Sequence, residues 1–193
     1  MNEFNIFRKS MREKRNSLTK EFREEASRKL LINVKKLKNI DKYNNIGVYA
    51  AFDGELSLSD VINYFWQADK KIFLPKLINA ENNKNKKLIF CEFNSETKLI
   101  KNKFGIGEPQ DGLCVEVDAL ELLLLPLTAF DKQGNRLGMG QGYYDATLHG
   151  LKKTPYRVGV GYAFQEVERL EPHSKDLTLD AILTEKLLIL TKS

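Results

Sequence analysis

The feature that most constrains this chain is a series of short, nearly continuous apolar runs bounded by turn formers. They are "IGVYA" (46–50), "KIFLP" (71–75), "KLIFCEF" (87–93), "LLLLP" ending at Pro126 and "YRVGVGY" (156–162). Runs of this length with no polar alternation suit strands buried on both faces. Between the first two lies "SLSDVINYFWQADK", with Ser57 or Ser59 as N-cap and Val61, Ile62, Phe65 and Trp66 at helical spacing. Strand, helix and strand in that order form a βαβ unit with a right-handed crossover. The expected fold is therefore α/β, a mostly parallel sheet with helices on both faces in a Rossmann-like three-layer arrangement.

An N-terminal helical segment precedes the strands. From Asn5 to about Leu37 the pattern is helical, interrupted at Asn16–Thr19, where Thr19 is placed to cap a second helix and Glu21 to complement its dipole. Phe22, Ala26, Leu30, Val34 and Leu37 then form one apolar stripe. At 193 residues, with no internal repeat and no break in composition, the expectation is a single domain over 1–193. No apolar run is long enough to span a bilayer and the N-terminus has charges where a signal peptide needs apolar residues, so a cytoplasmic protein is expected. Cys91 and Cys114 are far apart and lack CxxC spacing, which reads as two free packing thiols with no zinc site or disulfide.

The net charge of +5 raises the question of an anionic partner. One concentration of cations, "NKNKK" (83–87), has no aromatic residue to stack on a base and reads as a solvated loop. The other is Arg8, Lys9, Arg12, Lys14 and Arg15.

After Pro126 comes "LTAFDKQGNRLGMGQGYYDATLHGL". Ligands of open α/β sheets bind beyond the carboxyl ends of strands, where this segment would lie. Gly138, Gly140 and Gly142 are free to adopt positive φ or approach a ligand closely, Arg136 adds a fixed cation, and a helix beginning at the tyrosines adds unpaired N–H groups. Such a loop suits a di- or triphosphate. The glycines alone equally suit a flexible hairpin or a tight helix entry, and the Lys-Ser/Thr of a Walker A motif is missing. Asp145 reads either as an acid complementing the helix dipole or as a magnesium ligand. Tyr143 and Tyr144 are candidate core aromatics, His149 a helix C-cap before Gly150, and His173 a turn residue.

"PLTAFDKQGNRLGMGQGYYD" resembles the signature of the 5-formyltetrahydrofolate cyclo-ligase family. "RKSMREKRNSL" (8–18), "VYAAFDGELSL" (48–58), "FGIGEP" (104–109), "GVGYAFQ" (159–165) and "LDAILTE" (179–185) resemble further family segments in the expected order. The resemblance implies conversion of 5-formyltetrahydrofolate to 5,10-methenyltetrahydrofolate, with ATP as co-substrate, Mg²⁺ as cofactor, and ADP and phosphate released. The formyl oxygen, a poor leaving group, would attack the γ-phosphate, after which N10 closes the ring and phosphate departs. No enzyme nucleophile is needed, which agrees with the absence of a Ser-His-Asp or Cys-His arrangement.

The resemblance also implies site residues. Arg136, Tyr144 and Asp145 would be catalytic. Arg8 and the run Arg136, Leu137, Gly138, Met139, Gly140, Gln141, Gly142, Tyr143 and Tyr144 would bind ATP. Ala50, Glu55 and the stretch Met139 to Tyr143 would meet the folate, with Glu55 accepting pterin N–H groups. Asp145 and Asp180 would hold the metal. The partners implied are small molecules, not nucleic acid or a membrane, and the protein is expected to be a monomer. Two departures remove cations: Met139 replaces the family's basic residue between the first two loop glycines, and Phe4 replaces a lysine, leaving Lys9, Arg12 or Arg15 to compensate. The alternatives are a basic nucleic-acid-binding module, favoured by the +5 charge, and a nucleotide-binding relative acting on another substrate.

Overall fold

The computed structural model describes residues 3–78, 86–171 and 177–191, with backbone alone at 3 and 4. His173 and Asn83 to Asn85 therefore lie outside the described residues, as does the side chain of Phe4. The helices are α1 (Glu3–Asn16), α2 (Lys20–Val34), α3 (Ser59–Gln67) and α4 (Tyr143–Leu148). The first six strands are β1 (Asn45–Gly47), β2 (Lys71–Ile78), β3 (Lys87–Glu92), β4 (Leu99–Lys101), β5 (Gly107–Pro109) and β6 (Cys114–Val115). They are followed by β7 (Leu122–Pro126), β8 (Ala129–Phe130), β9 (Arg136–Leu137), β10 (Tyr156–Val160), β11 (Ala181–Leu183) and β12 (Leu188–Leu190).

Eight strands form one sheet in the order β12-β11-β10-β7-β1-β2-β3-β6. The βαβ unit expected between residues 46 and 75 is present, with β1 parallel to β2. The central strands β11, β10, β7, β1 and β2 are all parallel, and antiparallel strands complete both flanks. Between β2 and β3 the connection, residues 79–86, is too short for a parallel crossover of about a dozen residues or more, so these strands pair antiparallel.

Strand alternation divides the core. Leu122 and Leu124 face α2 and α3, where Ala26, Leu30, Val34, Val61 and Phe65 cover them. Leu123 and Leu125 face Phe90, Phe130, Tyr143 and Leu148 on the other side. All four leucines are buried, each contributing about 2 kcal/mol of transfer free energy. Both faces are therefore covered, as expected, although the second relies on the short α4 and the β8–β9 hairpin.

Thr19 caps α2 as anticipated, accepting the Phe22 N–H at 3.2 Å. Phe22 itself is exposed, so the buried stripe starts at Ala26. Arg23 turns back to donate to the terminal carbonyls of α1 at Arg15 and Asn16, both at 3.1 Å.

Two expectations need correction. The first strand stops at Gly47; Val48 makes a last bond to β2, its N–H donating to Phe73 O at 2.9 Å, and the chain then turns away at the carboxyl edge, where the Tyr49 hydroxyl donates to Leu56 O at 2.5 Å. The two cysteines are not free thiols: Cys91 on β3 faces Cys114 on β6 and they form a disulfide. Their separation of 23 residues concealed a pairing that only strand register creates. Among the described residues no helix is long and apolar enough to cross a membrane.

Candidate active site

The chain leaves β1 toward β2 on one side, while β7 and β10 continue the sheet on the other. The strand order thus reverses between β1 and β7, and a cleft opens beyond their carboxyl ends. A cavity of about 610 Å³ lies there, lined by Tyr49 and Ala50 after β1, Pro126 at the end of β7, and Pro75 and Leu77 of β2. That volume suits one or two small molecules.

The glycine loop forms one wall. It is anchored by the β8–β9 hairpin, whose turn is organised by the buried Asp131. The Asp131 carboxylate accepts the backbone N–H groups of Gln133 and Asn135 at 3.0 Å, the Asn135 amide at 2.9 Å and the Leu170 N–H at 2.9 Å. This fixes the strand that presents Arg136. Its guanidinium is almost fully buried and donates to Asp145 Oδ1 at 2.5 Å, while Nε is buried without a hydrogen-bond partner among the described residues. A buried cation with an unused donor at a cavity wall is suited to an anion.

The glycines differ in their roles. Gly140 and Gly142 adopt φ of +86° and +71°, conformations that L side chains rarely adopt, whereas Gly138 does not. A Cβ on Gly140 would also lie 3.3 Å from Arg8 Cζ. Arg8 reaches from α1 to donate through Nε to Gly138 O at 2.9 Å. The loop is therefore held by a helix far away in sequence and leads directly into α4, whose N-cap is Gly142.

Of the two expected metal ligands, only Asp145 lines the cavity. Asp180 is a correction. It lies at the start of β11, level with Leu123 of β7 and so ~10 Å short of the carboxyl edge. There its carboxylate accepts Arg157 N at 2.7 Å and the Arg157 Nε and Nη2 groups at 3.0 Å. Its sequence position beside a strand was readable, but which end of the strand it occupied was not. Among the described residues no cluster of three His, Cys, Asp or Glu forms a metal cage. One carboxylate beside a cationic loop instead suits a magnesium ion that takes most of its remaining ligands from phosphate oxygens and water.

The loop after β1 brings Glu55 into the same lining. Its Oε2 accepts the Phe52 N–H at 3.1 Å. Burial pushes the carboxyl up to about 7, against the opposing effects of the Phe52 hydrogen bond and the Arg15 charge. Burial likewise raises the Tyr144 phenol, with Glu55 adding to the shift and Arg136 opposing it, so Tyr144 is a neutral donor at physiological pH. Tyr143 is the core aromatic of the pair, buried and edge-on to Phe104 at 6.0 Å.

The structure thus gathers Arg8, Ala50, Glu55 and the whole run from Arg136 to Asp145 around one cavity. The sequence reading assigned no site role to Phe52, Asn102, Phe104 and Ile106, which line it as well. Phe104 and Ile106 lie in the quoted "FGIGEP" segment, but neither carries a group whose chemistry would mark it. His149 is not among the lining residues; its backbone N–H closes α4 by donating to Asp145 O at 3.0 Å, in keeping with its expected capping position.

The sequence profile of the 5-formyltetrahydrofolate cyclo-ligase family matches residues 2–185. The 5-formyltetrahydrofolate cyclo-ligase of Haemophilus influenzae is 38% identical over 142 residues, 72% of this chain and 74% of that protein. The Escherichia coli enzyme of the same name is 32% identical over 181 residues, 90% of this chain and 96% of its own. The solved structure of 5,10-methenyltetrahydrofolate synthetase from Aquifex aeolicus superposes with a TM-score of 0.82 at 32% identity, covering 98% of this chain and 93% of that one. By both sequence and fold, the chain belongs to the 5-formyltetrahydrofolate cyclo-ligase family.

Proposed function

We propose that this protein converts 5-formyltetrahydrofolate to 5,10-methenyltetrahydrofolate at the expense of ATP. What carries the reading is that one switch-point cavity is lined both by Arg8, Arg136 and the glycine loop and by Glu55. The cationic wall suits a triphosphate, and the carboxylate suits the N–H donors of a pterin. Held between them, the formyl oxygen would attack the γ-phosphorus as ADP leaves. The N5 lone pair develops the iminium, N10 adds to its carbon and loses its proton, and phosphate departs with the former formyl oxygen.

Arg136 would neutralise charge on the transferring phosphoryl group, and Arg8 would hold Gly138 so that the loop keeps its curvature. Tyr144 would donate a hydrogen bond from its neutral phenol. Asp145 would hold magnesium bound with the nucleotide, the ion supplying further neutralisation of phosphate charge. The remaining work is to position the formyl oxygen and N10 and to exclude water, for which the apolar side chains of Phe52, Phe104 and Ile106 serve.

The nucleic-acid alternative loses its motive, because Arg8, Arg12 and Arg15 are engaged with the glycine loop and Asp53. The deciding experiment mixes purified protein with 5-formyltetrahydrofolate, ATP and Mg²⁺ and follows the ultraviolet absorbance of the methenyl product. Turnover that requires all three supports the reading, and no turnover at saturating concentrations refutes it.

A further inference from the structure

Arg15 is the largest fully buried side chain among the described residues. Of its nitrogens only Nη2 has partners, Asp53 Oδ2 at 3.6 Å and Met139 Sδ at 3.8 Å. Nε and Nη1 are buried with no hydrogen-bond partner among the described residues. A buried, half-satisfied cation opposes folding, so its presence calls for a compensating role. Its two contacts belong to different segments at the cavity: Met139 is in the lining, and Asp53 lies in the loop that brings Glu55 to it. Asp53 is two residues from Glu55 and is held by Arg12 and by Asn16 as well, the latter at 3.0 Å. Gly54, at φ +73°, packs so closely on α1 that a Cβ there would lie 3.0 Å from Arg15 Cβ. Met139 lies in the glycine loop, where Thr128 Oγ1 also approaches its sulfur at 3.5 Å.

Building on the proposed reaction, we infer that Arg15 is a positioning residue, tying the Asp53–Glu55 loop to the glycine loop at Met139 so that the folate wall and the phosphate wall keep a fixed separation. The charged groups acting on Glu55 are Arg15 from α1, which favours the carboxylate, and Asp53 from its own loop, which disfavours it; Glu55 in turn raises the neighbouring phenols of Tyr49 after β1 and Tyr144 from α4. Arg15 is the cation of this set, so removing it makes Glu55 easier to protonate.

The test compares Arg15→Met, similar in length but uncharged, with Arg15→Lys. In Arg15→Met, kcat/KM for 5-formyltetrahydrofolate is expected to fall by about tenfold or more. The Glu55 carboxyl midpoint, followed by carbon NMR, is expected to rise by about half a unit or more. Arg15→Lys should recover part of both. A purely structural role would lower the melting temperature in both variants and leave kcat/KM of the folded protein within about twofold of wild type; that result overturns the inference, as does a Glu55 midpoint that does not move. The NMR midpoint needs no turnover, so an inactive wild type would refute the proposed reaction without deciding the role of Arg15. If Arg15→Met does not fold, Arg15→Lys and Asp53→Asn carry the test: an unmoved Glu55 midpoint and unchanged kcat/KM in both refute it.

Discussion

Replacing Glu55 by glutamine is expected to stabilise the protein at pH 8 and to inactivate it. Burial lifts the Glu55 carboxyl from 4.5 to about 7. The folded state therefore binds this proton more tightly than the unfolded chain, and ionisation opposes folding. The cost is small below pH 4.5, grows as pH rises toward 7 and is complete above it. Two and a half units correspond to at most about 3 kcal/mol at pH 8, of which about 1 kcal/mol is already present at pH 5. Glutamine retains an oxygen for the Phe52 N–H and has no charge to desolvate. For a chain of this size, about 2–4 °C per kcal/mol gives a melting temperature up to ~6–12 °C above wild type at pH 8, against about 2–4 °C at pH 5. Thermal melts of both proteins at the two pH values, at equal ionic strength, supply the measurement. A variant whose advantage does not grow from pH 5 to pH 8 refutes the claim that a buried carboxyl is present. In the turnover assay the same variant should lose about 10²-fold or more, because an amide presents one acceptor and two donors where a carboxylate presents acceptors only.

Arg136→Met should reduce turnover by about 10²–10³-fold, since it removes the buried cation of the loop, and a loss below tenfold in steady-state kinetics would oppose that role. Gly140→Ala places a side chain at φ +86° beside the Arg8 guanidinium; the strain of about 1–2 kcal/mol should appear as a raised KM for ATP in initial-rate measurements. Asp180→Asn should leave turnover within about twofold of wild type while lowering stability by about 1 kcal/mol through the weakened Arg157 pair, whereas loss of turnover in the folded variant would return Asp180 to the metal. Reducing the Cys91–Cys114 disulfide should lower unfolding free energy by about 3 kcal/mol, measured by denaturant titration with and without reductant, and thiols should be titratable only after reduction.

The parts of the fold set by local periodicity were legible. The β1–α3–β2 crossover, the Thr19 cap and the four-leucine strand depend on spacing within a few residues, and all three are present, although β1 stops at Gly47 and Leu58, not Ser57 or Ser59, stands at the N-cap of α3. What depended on register was not legible. Cys91 and Cys114 meet only because β6 returns along β3, and Asp180 is separated from Asp145 because β11 begins at the far end of the parallel set. The cavity residues most easily found were those with charge or conformational freedom, such as Arg136 and Gly140. Phe104 and Ile106 shape the same space with no chemistry to declare it.

The basic N-terminus illustrates the same limit on charge. Five cations within eight residues are visible as a run, but their direction is decided by packing: Arg8 meets the glycine loop, and Arg12 and Arg15 meet Asp53. This also accounts for Met139. A lysine at that position, facing the same way, would put an ammonium close to Arg15 Nη2, which now lies 3.8 Å from the Met139 sulfur. Two unit charges at that distance repel by about 4 kcal/mol at an effective dielectric constant near 20. A cation at 139 and a cation at 15 therefore exclude one another unless the loop residue swings fully into the cavity. With Arg15 buried behind the loop, a polarisable thioether is the side chain that fills the position without that repulsion.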